Sequence, residues 1–249
     1  MPILEVKNVI KEFGKLRAVN NVNFGVDQEK IIALIGPNGS GKSTLFHLIT
    51  GYYPLTAGEI FFKGDRITNL PAFRILEKGI SRSFQVANIF PELTAFENVR
   101  IGVLAHQKKS MKLFKNMEKL KSVREETLEI LKAVGLEVEA NSVAGVLSHG
   151  DQKCLEIGIA LASELDLLIL DEPTAGMAPE ETMIIVALIK EIAEKRNIKI
   201  IFSEHDLKVV FSIAERVIVL HQGSIIADGK GGDIKKNKKV REAYLGEEE

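Results

Sequence analysis

One run, Ile31–Phe46 (IIALIGPNGSGKSTLF), constrains the fold more than any other part of the chain. Ile31–Ile35 is a short continuous apolar stretch, the pattern of a strand buried on both faces. It ends at Gly36, and the segment KSTLFHLIT that follows has helical character until Gly51 stops it. Between strand and helix, Gly36–Ser43 match G-x-x-x-x-G-K-[ST]. A fully buried strand that turns through glycines into a helix requires a sheet with helices packed on it.

The same loop dictates a chemistry. Its glycines let backbone N–H groups converge on phosphate oxygens with no Cβ in the way. The helix that follows adds the positive end of its dipole. Gly36, Pro37, Asn38, Gly39, Ser40 and Gly41 therefore form a phosphate cradle. Lys42 is placed to reach the β- and γ-phosphates, Ser43 to offer its hydroxyl to Mg²⁺, and Thr44 to bond a neighbouring phosphate. ATP with Mg²⁺ is the expected ligand.

The rest of the chain supports an α/β protein. After Ala162, apolar strand-like runs alternate with helical ones: LLILD, APEETMIIVALIKEIAEKR, IKIIFS, HDLKVVFSIA and RVIVL. Such alternation implies a parallel core sheet. The first 30 residues alternate apolar and polar, as half-buried strands do. HQGSIIADG reads as a closing hairpin, and the charged tail KKNKKVREAYLGEEE as partly helical. Between Asn88 and Ala162 the spacing is helical: TAFENVRIGVLAH, REETLEILKAVG and DQKCLEIGIALAS. The expected organisation is one domain over 1–249, with a nucleotide-binding core and β subdomain from about 1–87 and 163–249 and a helical subdomain over 88–162.

Composition narrows the partners. A net charge of −1 over 249 residues argues against nucleic acid as a dominant partner. A single cysteine, Cys154, excludes an intrachain disulfide; its position in an apolar helical run points to packing. No segment approaches the roughly 18 apolar residues of a membrane span, and the N-terminus lacks the pattern of a signal peptide. Gln107–Arg124 carries seven Lys or Arg and one Glu, which suits a solvated helix face or a contact with anionic headgroups.

Two further loops complete a candidate site. LLILDEP ends an apolar strand in two acids. Asp171 is placed for the metal shell through water, and Glu172 for activating an attacking water as general base. FSEHDL ends the next strand, so His205 emerges on the same sheet edge and faces the γ-phosphate. His47, His106 and His221 carry no metal-ligand spacing. LSHGDQ opens a second helix N-terminus, and Ser148 and Gly150 offer a hydroxyl and an uncovered amide to phosphate. One nucleotide needs one cradle, so this second loop suits the ATP of a facing subunit, each site being completed in trans across a two-fold dimer.

In this order, GPNGSGKST, SRSFQ, LSHGDQ, LLILDE, AGMAP and SEHD resemble the Walker A, Q-loop, signature, Walker B, D-loop and switch motifs of ABC transporter ATPases. The resemblance covers nearly the whole chain. It implies the P-loop NTPase fold in its ABC-ATPase form, with a parallel core sheet, an antiparallel β subdomain and an inserted helical subdomain. It makes Phe13 the ring that stacks on adenine and Gln85 a metal-shell residue that reports on the γ-phosphate. The permease contact is then expected near Gln85–Pro91. FQVANIFPELTAFENVRIGVLAH, the basic insert, DEPTAGMAPEET and REAYLGE resemble more narrowly the ATPases of branched-chain amino acid importers. Urea/amide importer ATPases are the alternative, and a soluble ABC ATPase is a more distant one. The importer resemblance implies a second ATPase subunit, two membrane permeases, an extracytoplasmic binding protein and a peripheral position on the cytoplasmic face of the inner membrane.

The chain departs from the family pattern at His149 and Asp151, where glycine and glutamine are usual, and at Ala178, where the usual aspartate bonds across the dimer. The last leaves coupling between the two sites to be carried some other way, for instance by the partner in an asymmetric heterodimer.

Overall fold

A computed structural model describes residues 2–83, 89–107 and 117–245. The run IIALI forms β3, Ile31–Ile35, with every residue buried. Its side chains divide by parity, as a pleated strand requires. Ile31, Ala33 and Ile35 join one apolar cluster, and Ile32 and Leu34 the other. β7, Leu167–Asp171, divides in the same way: Leu168 and Leu170 to the first cluster, Leu167 and Ile169 to the second. The sheet thus separates two cores, which is why its strands read as unbroken apolar runs.

Four more strands complete this sheet: β6 (Ile80–Ser83), β8 (Lys199–Ser203), β9 (Arg216–His221) and β10 (Ser224–Gly229). The order is β10-β9-β3-β8-β7-β6. All neighbours pair in parallel except β10, which folds back antiparallel on β9 as the predicted hairpin. The short polar strand β6 (ISRS) carries no sequence pattern that announces it; it pairs with β7 at the sheet edge.

A second, four-stranded antiparallel sheet has the order β2-β1-β4-β5, from β1 (Leu4–Phe13), β2 (Leu16–Val26), β4 (Ala57–Phe62) and β5 (Asp65–Arg66). Its inward residues Leu4, Val6, Val9, Ile60 and Phe62 pack with Ile32, Leu34 and with Leu45, Phe46 and Ile49 of helix α1, Lys42–Ile49. Gly51, two residues past α1, adopts φ +71, the left-handed conformation that stops a helix.

The opposite face of the parallel sheet carries α6 (Pro179–Lys195) and the helical segment. Within that segment, α3 (Ala95–Gln107), α4 (Met117–Ala133) and α5 (His149–Leu161) pack through Val99, Val103, Val123, Leu131 and Leu155. A short helix α2 (Ala72–Glu77) precedes β6, α7 (Leu207–Ile213) follows β8, and α8 (Gly231–Lys236) and α9 (Lys238–Leu245) form the tail. No described helix is long and apolar enough to cross a membrane. The predicted boundaries near 87 and 162 bracket α3–α5, and part of the basic insert lies outside the described residues.

Candidate active site

The site forms at the carboxyl ends of β3, β7 and β8, where parallel sheets open crevices for ligands. The loop from Gly36 to Gly41 leaves β3 and winds into α1. Two positions admit only glycine. A Cβ on Gly36 would lie 2.1 Å from the Leu220 carbonyl oxygen, and one on Gly41 would lie 2.5 Å from that of Ala18. Gly41 also sits at φ +104.

Lys42 is buried, and its Nζ donates to the carbonyls of Gly36 at 2.7 Å and Pro37 at 3.2 Å. Burial lowers its pKa from the ordinary lysine value, against the raising pull of Glu172 and Asp171. The ammonium is therefore tied to the loop that it completes, facing two carboxylates and short of solvent.

A cavity of about 540 Å³ opens in front of the loop. Phe13, Asn38, Gly39, Ser40, Gly41, Lys42, Ser43, Thr44 and Glu172 line it. Phe13 is the last residue of β1 and 42% exposed; its ring meets Tyr53 edge-on at 5.4 Å, and Lys11 Nζ lies 4.8 Å from its centroid. An exposed aromatic at one end of a phosphate cradle suits a flat base. Gly36 and Pro37 lie behind, where they orient Lys42.

Asp171 and Ser203 are paired in register at the ends of β7 and β8. The Ser203 hydroxyl donates to Asp171 Oδ1 at 2.6 Å and accepts the Glu172 N–H at 3.1 Å. Arg82, at the end of β6, donates to Asp171 Oδ2 at 2.6 Å, with the two side chains only 5% and 3% exposed. Asp171 thus has a fixed orientation, clamped from both oxygens. Glu172 sits at φ +49, a conformation that costs a non-glycine residue about 1 kcal/mol or more. Its Oε1 lies 2.8 Å from His205 Nε2.

Sequence reasoning missed the residues that hold this arrangement. Besides Arg82 and Ser203, the buried Glu204 carboxylate accepts the Thr174 N–H at 2.8 Å, the Thr174 hydroxyl at 2.7 Å and the His205 N–H at 3.1 Å. It fastens the loop bearing His205 to the loop after Glu172. Motif spacing singles out His205 and passes over its neighbour.

Ser148 and Gly150 lie apart from the cavity, at the start of α5. Ser148 caps that helix: its Oγ accepts the Asp151 N–H at 3.1 Å and donates to Asp151 Oδ2 at 2.9 Å. Asp151 thereby finds a local role at a position where the family pattern has glutamine. The Gly150 amide is not uncovered, as the sequence suggested; it donates to Glu181 Oε1 at 3.3 Å. Cys154 is buried on the same helix and its thiol is pushed up to about 12 by desolvation, in keeping with packing. Gln85 lies outside the described residues.

Among the described residues no cluster of three or more His, Cys, Asp or Glu could cage a metal ion. The Ser43 hydroxyl and the buried Asp171 carboxylate are hard oxygen donors, the kind that suits an ion that keeps waters and nucleotide phosphates as its other ligands.

Strand, glycine loop, paired acids and switch histidine together define a P-loop ATPase of the cassette type. The ABC transporter family model matches residues 19–175, and the chain belongs to that family. A second model, branched-chain amino acid ATP-binding cassette transporter, matches residues 224–249. The chain is 40% identical over 251 residues to the high-affinity branched-chain amino acid transport ATP-binding protein BraF of Pseudomonas aeruginosa, covering 99% of this chain and 98% of that one. It is 38% identical over 253 residues to LivG of Escherichia coli, with the same coverage. Among solved structures, the ADP conformation of MJ1267, an ATP-binding cassette of an ABC transporter, superposes with a TM-score of 0.87 at 32% identity, covering 99% of this chain and 100% of that one. A dimeric post-hydrolysis cassette, MJ0796 bound to ADP and phosphate, gives 0.78 at 28% identity, with 91% and 98% covered.

Proposed function

We propose that the chain is the ATP-hydrolysing subunit of an importer for branched-chain amino acids. The observation that carries this reading is one cavity in which the phosphate loop, Phe13 and Glu172 meet, on a chain whose residues 224–249 match the branched-chain cassette model.

Adenine stacks on Phe13, and the loop Gly36–Gly41 with Thr44 holds the phosphates. Mg²⁺ would be held by Ser43, Gln85 and, through water, Asp171, and it would supply charge neutralisation to the phosphates. Glu172 polarises the attacking water; His205, 2.8 Å from it, and Lys42 stabilise charge that develops on the γ-phosphate. Ser148 and Gly150 of a facing subunit close over that phosphate. Higher ATP affinity of the closed dimer then drives the movement that permeases convert to transport. Such a subunit works peripherally, on the cytoplasmic face of the inner membrane, while the extracytoplasmic binding protein delivers solute to the permeases. Residues 1–249 act as one cassette, with 88–162 as its helical arm.

The test is a pull-down from native membranes with Glu172→Gln, which slows hydrolysis and holds the closed state. Two polytopic permeases and a second ATPase subunit are expected, together with a cognate binding protein that takes leucine, isoleucine or valine. Urea binding by that protein would move the assignment to the amide importers. Recovery of soluble partners alone would refute the transporter reading.

A further inference from the structure

One carboxylate links the two loops at which this chain departs from its family. Glu181 Oε2 accepts the Ala178 N–H at 3.1 Å, and Glu181 Oε1 accepts the Gly150 N–H at 3.3 Å. Ala178 has no side-chain acceptor, so only the backbone half of a capping box forms at the start of α6. Glu181 supplies that half and extends its other oxygen to the start of α5. The cover is steric too. A Cβ on Gly150 would lie 3.2 Å from Glu181 Oε1 and 3.4 Å from its Cβ and Cδ. Ser148 is exposed while Gly150 is buried. His149 reaches the same loop, with its Cε1 at 4.0 Å from a Cβ built on Gly176.

A backbone amide at a helix N-terminus binds one anion well, and a carboxylate and a phosphate oxygen compete for it. We propose that Glu181 is a resident anion on the Gly150 amide, which the γ-phosphate of the facing subunit must displace. This inference rests on the proposed role of Gly150 in trans. The displaced carboxylate keeps its bond to Ala178 N–H, so arrival of phosphate at the signature loop is felt at once by the D-loop. The contact supplies in cis a link between these loops at a site where Ala178 lacks the side chain for a bond across the dimer. Glu181 is a positioning residue in this scheme: it acts through the Gly150 and Ala178 amides, and it sets how much ATP closure requires.

The experiment uses the ATPase dimer recovered with Glu172→Gln, homomeric or heteromeric, with and without Glu181→Gln in this chain. Glutamine keeps an acceptor for Ala178 N–H, so the nucleotide affinity of the separated chain should not change, while its melting temperature should fall by about 3–5 °C with the loss of the charge-assisted bond to Gly150. Sedimentation in saturating ATP·Mg²⁺ should show the dimer dissociation constant falling about tenfold for each variant chain in the dimer, the equivalent of one charge-assisted hydrogen bond per chain no longer broken on closure. An unchanged or raised constant overturns the proposal. Ser148→Arg tests the underlying reading by itself, since it should block ATP-driven association in both backgrounds. If Ser148→Arg dimerises normally with ATP, the role of the signature loop in trans fails, whatever Glu181 does.

Discussion

Replacing Arg82 with methionine should unfold the protein at a markedly lower temperature, although the sequence assigns Arg82 no role of its own. Its ion pair with Asp171 is 2.6 Å long and almost wholly buried. Removing one member of such a pair strands the other charge in the interior, at a typical cost of about 3–5 kcal/mol. Asp171 keeps the 2.6 Å bond from Ser203, which places the expected loss near the lower end, at about 3 kcal/mol. For a chain of this size that corresponds to a melting temperature lower by about 6–12 °C. Scanning calorimetry measures it directly. The decisive sample is the double variant Arg82→Met with Asp171→Asn, which removes both charges. Stability should return to within about 1 kcal/mol of the parent while Mg²⁺-dependent hydrolysis stays lost, because a neutral amide in place of the carboxylate cannot organise the metal shell. If the two substitutions instead add, with the double variant as unstable as the sum, Asp171 is not stranded by loss of Arg82. The account of a clamped metal-shell aspartate would then be refuted.

Two other outcomes follow from the geometry. Gly41→Ala forces a Cβ to within 2.5 Å of the Ala18 carbonyl at φ +104. It should cost about 1–3 kcal/mol in urea unfolding and abolish ATP binding in equilibrium dialysis, whereas Gly39→Ala, with open space around its Cβ, should do so less. His47 is held below its ordinary pKa of 6.5 by burial first and by the Arg82 cation second. The folded state therefore keeps His47 neutral where the unfolded chain takes up a proton. Its contribution to stability is complete above 6.5 and is lost as pH falls from there through the folded-state pKa. Unfolding free energy between about pH 7.5 and pH 5.5 should fall less steeply in His47→Gln than in the parent, and equal slopes would contradict the assignment.

Much of this site is legible in the sequence because its parts are local. A phosphate loop needs consecutive residues, so Gly36–Thr44 announce themselves, and acids at the end of an apolar run do nearly as well. The buried strands are legible for a related reason, since burial on both faces removes polar residues from the run. What stayed hidden is pairwise and distant. Arg82 and Asp171 are 89 residues apart and meet only because β6 pairs with β7. ISRS is too short and too polar to read as a strand. Gly150 and Glu181 belong to two helices whose first turns meet, and neither spacing nor composition reports that meeting. Ser203 and Glu204 were passed over because a serine and a glutamate near a histidine carry no signal until their hydrogen-bond partners are known.

The strand order has a consequence for how the chain comes to exist. β3 carries the phosphate loop and lies between β8 and β9, whose first residues, Lys199 and Arg216, come more than 160 positions later. At ribosomal rates of 5–20 residues per second, roughly ten to thirty seconds pass before either flank exists. Through that interval Ile31–Ile35 has no strand partner on either edge. The element made first for nucleotide is thus completed last, and the nascent chain must be kept from pairing that apolar strand elsewhere while it waits.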